Sequence, residues 1–486
     1  MQKSAKGIVG GQPPKARTIG GVSRTRDLMS DRRQKNQMEL AFMTKPASEA
    51  CSTSQGTESP AGNRGTERPT ATETLMEEVV ERENLKKALQ RVRSNKGSAG
   101  VDGMTVEQLP AHLKTHWPDL RRELLEGTYK PQPVRRVEIP KPDGGMRKLG
   151  IPTVRDRFIQ QALLQVLQER FDPRFSKHSH GFRPNHSAHE AVAEAQQYVA
   201  EGYEWVVDID LEKFFDRVHH DRLLARVAYV IHDQRVLKLL WGFLAAGVLE
   251  NGLVGPTDKG TPQGGPLSPL LSNIVLDELD RELEHRRLRF VRYADDCNIY
   301  VRSERAGQRV MKSIGSFITR KLKLTVNGSK SAVARPERRK FLGFTFWRRE
   351  GRVLRAISQK ALERAKAKIR GITRRKRGDK LETIVAELTS YLRGWRTYYG
   401  FSETPSVLRN LDSWLRRRLR CLIWKRWKHA KRRFRELVQR GVHPVLAAKT
   451  AGSVQGPWPL SKSPALSKAL PNAYFSSLGL LSLASC

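Results

Sequence analysis

Cysteine is scarce in this chain. Only Cys51, Cys297, Cys421 and Cys486 occur among 486 residues, and no two stand close enough for a Cys-x-x-Cys knuckle. That excludes a disulfide framework and a cysteine-built zinc site, and it suits a reducing compartment. Long apolar runs are lacking too, so neither a membrane span nor a secretory signal core is expected. Acidic residues are in deficit, 50 Asp+Glu against 89 Lys+Arg, for a formal net charge of +39. Such an excess points to a polyanionic partner, nucleic acid before membrane. A chain of this length can bury a sizeable core and divides into two or three domains.

What is present centres on Phe290 to Val301. Two β-prone runs, Phe290 to Tyr293 and Asn298 to Val301, flank Ala294, Asp295 and Asp296, which reads as a hairpin with two acids at its tip. Carboxylates about 4 Å apart repel by roughly 4 kcal/mol at an effective dielectric near 20, which a divalent cation turns into attraction. Taken alone, an Asp-Asp pair also reads as a solvated turn. A third acid changes the balance. Trp205 to Asp210 alternates like a strand, with Val206, Asp208 and Asp210 on one face, and ends at Asp210. Laid beside the hairpin, it gathers three carboxylates around one or two Mg²⁺ ions, the arrangement that in-line phosphoryl transfer needs. Between them, Gly260 to Pro269 offers glycines for close backbone approach, and Ser268-Pro269 is suited to cap and start a helix.

Tyr293-Ala294-Asp295-Asp296, with Asp210 and Gln263-Gly264, resembles the palm of a reverse transcriptase. Asn95 to Gly103, Ile139 to Arg147, Gly181-Phe182-Arg183-Pro184 and Phe341-Leu342-Gly343-Phe344 are similar to segments of the reverse transcriptase/maturase encoded by bacterial group II introns. The likeness runs from about residue 75 to about residue 450. It implies a right-hand polymerase, α+β in fingers and palm with a helical thumb. It also implies an enzyme that copies intron RNA into DNA with two Mg²⁺ ions and assists splicing as a ribonucleoprotein. Asp210, Asp295 and Asp296 become the catalytic metal carboxylates, the first two the stronger ligands. Lys141 and Arg147 grip the incoming triphosphate, Gln263 lies against template or nucleotide, and Phe215 blocks a 2′-hydroxyl, with ordinary core packing the alternative for Phe214 or Phe215. Lys330 lies near the departing pyrophosphate, unless it is a solvated turn residue. Partners so implied are intron RNA, DNA target and primer, and deoxynucleoside triphosphates, with no membrane. The setting is a bacterial cytoplasm, at the nucleoid when DNA is bound, and a homodimer is left open.

Taken in order, residues 1–74 are rich in Gly, Ser, Thr, Pro and basic residues and read as a disordered extension, with RNA contact as an alternative. Fingers and palm are expected over 75–340. Leu75 to Asn95 has a helical apolar stripe, and Arg135 to Ile151 reads as a hairpin. Asp156 to Phe171 reads as a core helix, and Ser187 with Glu190 as a capping box for a helix reaching about Ala200. His178, His180, His186 and His189 suggest a metal cluster, but the polymerase needs none there and no cysteine is near, so a structural role is expected. Asp221 to Val248 reads as further helix, and Leu322 to Lys330 as strand and turn.

The thumb, or maturase domain, is expected over 341–450. From Arg352 to Arg440 there are 27 Lys/Arg against 7 Asp/Glu, interleaved with Trp395, Tyr398, Tyr399, Trp414, Trp424 and Trp427. Blocks such as Arg416-Arg417-Arg418 and Lys425-Arg426 repel themselves unless phosphates neutralise them. Arg416, Arg417, Arg418, Lys425 and Arg426 are therefore expected RNA contacts, and Ser390 to Phe401 resembles the thumb with which this family clamps intron RNA, which implies the same for Arg393 and Trp395. The tail, 451–486, has no ligand set for the zinc-dependent His-Asn-His nuclease of longer family members. It is expected to contact DNA or to pack on the thumb. Two other tasks remain open: RNA chaperoning with secondary polymerisation, and a repair or defence-linked reverse transcriptase.

Overall fold

A computed structural model describes residues 74–140, 145–250, 253–255, 260, 264–374 and 378–484. Nearly all of the expected N-terminal extension, together with Lys141 and Gln263, lies outside the described residues.

The helical stripe after Leu75 forms a short turn of helix and then α1 (Arg82–Ser94), capped by the Glu81 carboxylate on the Asn84 amide. The fingers hairpin is β1 (Val134–Pro140) against β2 (Met146–Ile151), antiparallel, with Ile139 opposite Arg147. Next, α2 (Val154–Phe171) starts at Thr153, whose side chain accepts from the Asp156 amide. It is buried on most sides, as a central core helix must be. The capping box holds as read: Ser187 opens α3 (Ala188–Ala200), and its hydroxyl meets both the amide and the carboxylate of Glu190.

The palm follows. In sequence come β3 (Trp205–Ile209), two short strands β4 (Val248–Glu250) and β5 (Leu253–Gly255), α4 (Ser268–His285), β6 (Arg289–Tyr293), β7 (Asp296–Val301), α5 (Glu304–Phe317) and β8 (Ala332–Ala334). β4 and β5 extend the fingers sheet in the order β2-β1-β4-β5, while the palm sheet runs β6-β7-β3-β8 and is antiparallel throughout. Val206, Val291 and Tyr300 face α3 and its buried Ala191, Val192 and Ala195. Val207 and Val301 face α5, where Gly307 lets the helix approach so closely that an added Cβ would lie 2.5 Å from Val333.

Three local expectations are corrected. Asp221 to Val248 is broken into helices His220–Ala228 and Gln234–Ala245, because buried Ile231 and the Asp233 cap interrupt it. Ser268 is the first residue of α4 and not its cap, which falls at Leu267 without a side-chain bond. Leu322 to Lys330 is not a strand: Leu322 closes a wide helical turn, Lys323 has a φ of 57°, and a single bridge joins Val326 to Leu211.

Hairpin β9 (Phe344–Arg349) and β10 (Arg352–Ile357) packs Phe344, Phe346 and Val353 against α3 in the palm cluster. The helical thumb then comprises α6 (Gln359–Ile372), α7 (Leu381–Tyr399), α8 (Pro405–Arg426) and α9 (Ala430–Gln439). The tail packs into it. Leu460, Leu466, Leu470, Phe475 and Leu483 are buried with Leu388, Leu415 and Trp424, and Asp412 accepts the backbone amides of Leu483 and Ala484. No helix among the described residues is long and apolar enough to cross a membrane.

Candidate active site

The site is built on a two-residue turn. Tyr293 pairs with Asp296 across β6 and β7, leaving Ala294 and Asp295 at the tip. Ala294 has a φ of 57°, a region that costs a residue bearing a Cβ on the order of 1–2 kcal/mol. Two neighbours hold it there. Gly181 lies directly behind, so close that a Cβ on it would fall 2.1 Å from the Ala294 nitrogen. Arg292, fully buried, donates to the Ala294 carbonyl at 2.9 Å, to Asn273 Oδ1 at 2.9 Å and to both oxygens of Asp280. Asn273 in turn donates to the Gly181 carbonyl at 2.9 Å. Sequence reading missed Arg292, Asp280 and Asn273. Two charges embedded in otherwise apolar periodic segments were their only signal, since buried charges occur when paired.

The third acid arrives on β3. Ile209 pairs with Cys297, so the next residue, Asp210, comes alongside Asp296 as the strand ends. Its backbone is fixed on both sides: the amide donates to Ser331 Oγ at 3.0 Å and the carbonyl accepts from the Asn327 amide at 2.8 Å. That turn also carries Lys330, whose Nζ lies 3.5 Å from Asp210 Oδ2. Asp208, two residues earlier, is paired with Arg339. Its carboxylate is thus occupied while that of Asp210 stays at the site's edge.

Burial and crowding of like charge raise the proton affinity of the turn. The Asp296 carboxyl reaches solvent at the tip yet is enclosed by protein around its base. That burial, with the charges of Asp295, Asp208 and Asp210, pushes it up to about 6. Burial likewise raises Asp295; the Asp210 charge adds to this and the Arg147 charge opposes it. A carboxylate cluster with raised proton affinity is also one that favours a cation, and the three carboxylates of Asp210, Asp295 and Asp296 fit a hard divalent ion.

The other candidates fall into two groups. Arg147 projects from the exposed fingers strand within electrostatic reach of Asp295. Phe215 follows Asp210 on a single helical turn and is half-buried. Its neighbour Phe214 is buried at 3% and takes the core position, the rings meeting edge-on at 5.2 Å. The thumb set is corrected in part. Trp395 is buried in the thumb core against Tyr399, at 4.8 Å between rings, and offers no face to a base. Arg417 lies over the Trp458 ring and donates to Ser461, while Arg418 donates to Thr373 Oγ1 at 2.7 Å. Arg416 sits half-buried 4.0 Å from Asp412, and Arg426 donates to the Asp379 carbonyl. Those arginines tie α8 to α6 and to the tail, which satisfies the charge block internally. Arg393 and Lys425 remain exposed, and so do Lys428, Lys431 and Arg435.

Comparison with known proteins now bears on this geometry. Residues 139–346 match the family described as reverse transcriptase (RNA-dependent DNA polymerase), and residues 362–441 match the group II intron, maturase-specific domain. Protein YkfC of Escherichia coli (strain K12) is 41% identical over 220 residues, covering 44% of this chain and 58% of that protein. Group II intron-encoded protein LtrA of Lactococcus lactis subsp. cremoris is 39% identical over 206 residues, covering 42% of this chain and 34% of LtrA. The putative COX1/OXI3 intron 1 protein of Saccharomyces cerevisiae is 36% identical over 198 residues, covering 40% of this chain and 24% of that protein. The matched stretches therefore span less than two thirds of these relatives' own lengths.

Proposed function

For a chain that belongs to the group II intron-encoded reverse transcriptase and maturase family, we propose an RNA-directed DNA polymerase that copies intron RNA and supports its splicing and mobility. The observation that carries the reading is the meeting of Asp210, Asp295 and Asp296 at one end of the palm sheet, with Lys330 3.5 Å from Asp210. Reverse transcriptases are metal-dependent as a family, and the donor set here fits Mg²⁺, which takes carboxylate oxygens and keeps several waters.

Asp210 and Asp295 hold the metal most directly, and Asp296 supports them. Bound there, two Mg²⁺ ions would lower the pKa of the primer 3′-hydroxyl and neutralise charge on the transferring phosphoryl group. The 3′-oxygen forms a bond to the α-phosphorus as the bond to the bridging oxygen breaks, and pyrophosphate leaves. Lys330 and Arg147 bind the triphosphate oxygens, and Lys330 is placed to give a proton to the departing pyrophosphate. Phe215 excludes a nucleotide bearing a 2′-hydroxyl. Lys141 and Gln263 complete the nucleotide and template contacts by their place in the family motifs.

Partners are intron RNA, a DNA target and primer, and deoxynucleoside triphosphates, in a bacterial cytoplasm and at the nucleoid. Fingers and palm supply polymerisation, and the helical thumb that follows supplies RNA binding. A splicing role beside polymerisation is favoured by the exposed Arg393, Lys425, Lys431 and Arg435 on thumb helices and by Lys428 in the connection between two of them. The test is extension of a DNA primer annealed to RNA by the purified chain. Product that depends on Mg²⁺ and deoxynucleotides supports the reading, and no extension on any primed RNA contradicts it.

A further inference from the structure

Four histidines lie near the Gly181 loop, and they separate cleanly by partner. His178 Nδ1 is held by Glu194 and Tyr198. The Nε2 of His189 bonds the Tyr398 carbonyl at 2.7 Å, and its ring stacks on Phe401 at 4.6 Å. Those two are structural, as the sequence suggests. The other two are not accounted for in that way. His180 is only 6% exposed, yet its Nδ1 has no hydrogen-bond partner, and the Nδ1 of His186 is likewise buried without one. Both nitrogens converge on Glu190: its Oε2 lies 3.9 Å from His180 Nδ1 and 3.4 Å from His186 Nδ1. All three atoms lie within 4.8 Å of one another.

We propose that His180, His186 and Glu190 bind a divalent transition metal of zinc-like chemistry, which pins the loop behind the Tyr293–Asp296 turn.

The protonation pattern suits a ligand set. His180 Nε2 lies 2.7 Å from Glu194 Oε2, so its ring proton sits on Nε2 and the Nδ1 lone pair points toward Glu190 and His186. Carboxylate behind histidine is the usual orienting arrangement for a metal-bound imidazole. Glu194 is fixed in that position by His178 and Tyr198 as well, the Tyr198 hydroxyl donating to its Oε1 at 2.6 Å. Serine caps the remaining oxygen, Ser187 Oγ donating to Glu190 Oε1 at 3.0 Å and leaving Oε2 free to face the histidines.

Two nitrogens and one carboxylate oxygen are borderline ligands that suit zinc, with metal distances of about 2.0–2.2 Å. Drawing the three atoms onto such a centre requires a contraction of about 1 Å, and His186 and Glu190, at the exposed end of α3, can supply it. Leaving two imidazole nitrogens buried without a hydrogen bond is unfavourable, and a cation would satisfy both at once. The consequence reaches the active site through the backbone. His180 donates its amide to the Arg292 carbonyl at 2.9 Å, Arg292 returns the bond to His178, and Gly181 then abuts Ala294.

The experiment uses untagged full-length protein stripped with chelator and kept in excess Mg²⁺ to occupy the aspartate site. Co²⁺ is titrated with its visible absorption as readout, and bound Zn²⁺ is counted by mass spectrometry of the metal. The expected result is one ion per chain, a higher melting temperature with Zn²⁺, and binding unchanged in Asp295→Asn. His186→Ala and Glu190→Gln should each weaken binding by about 100-fold and abolish the thermal shift. Glu190→Gln preserves size and helix position, so it answers even if His186→Ala folds poorly. No stoichiometric binding by the unaltered protein, or binding that survives both substitutions, would overturn the proposal.

Discussion

Arg292 and Asp280 form an ion pair with no exposed surface on either side chain, at 2.7 Å from Nε to Oδ1 and 2.5 Å from Nη2 to Oδ2. The same guanidinium donates to the Ala294 carbonyl, so a buried pair between α4 and β6 fixes the position of the candidate catalytic turn. Arg292→Met leaves Asp280 buried without a partner and should destabilise the fold by about 3–5 kcal/mol. Arg292→Met with Asp280→Leu should recover most of that in urea denaturation. Primer extension should stay low in the double variant, because the turn has lost its brace.

Gly181→Ala probes the contact from the other side. Its Cβ would sit 2.1 Å from the Ala294 nitrogen, so either the loop or the turn must move. Overpacking of this kind costs about 1–3 kcal/mol. Extension should fall at least about tenfold while RNA binding is unchanged. Full activity would mean that the loop yields and the turn does not depend on it.

Phe215→Val should raise ribonucleotide incorporation relative to deoxynucleotide, by about tenfold or more, since the half-buried ring is replaced by a smaller side chain. Paired single-nucleotide extensions give the ratio. An unchanged ratio assigns Phe215 to packing with Phe214.

Thumb charges should divide into two classes. Replacing exposed Lys425, Lys428, Lys431 and Arg435 with Gln should reduce the log-log salt slope of RNA binding by about 3 if each meets a phosphate. Arg417→Gln and Arg418→Gln should instead lower the melting temperature, since they join α8 to the tail and to α6. A slope unaltered by the first set would place the RNA elsewhere.

The palm was legible because its signals are local. Alternation in Trp205 to Ile209, the hairpin around Ala294-Asp295 and the Ser187-Glu190 cap each rest on neighbours in sequence. The thumb arginines were misread for the opposite reason. Nothing near Arg417 in the chain announces Trp458, 41 residues on, or that Thr373 would receive Arg418. Charge density alone cannot distinguish a phosphate from an indole face or a backbone carbonyl as the partner. Buried Arg292 was missed likewise, because Asp280 and Asn273 meet it only once α4 crosses beneath the sheet.

Asp210→Asn and Asp295→Asn, each assayed for primer extension on RNA and for binding of structured RNA, test the central claim most directly. Each should reduce cDNA synthesis by about a thousandfold or more, because a neutral amide neither attracts a cation nor stabilises charge as a carboxylate does. RNA binding should hold within about twofold, since the thumb surface is untouched. Undiminished cDNA yield from either variant would contradict the assignment of the palm carboxylates as the polymerisation site.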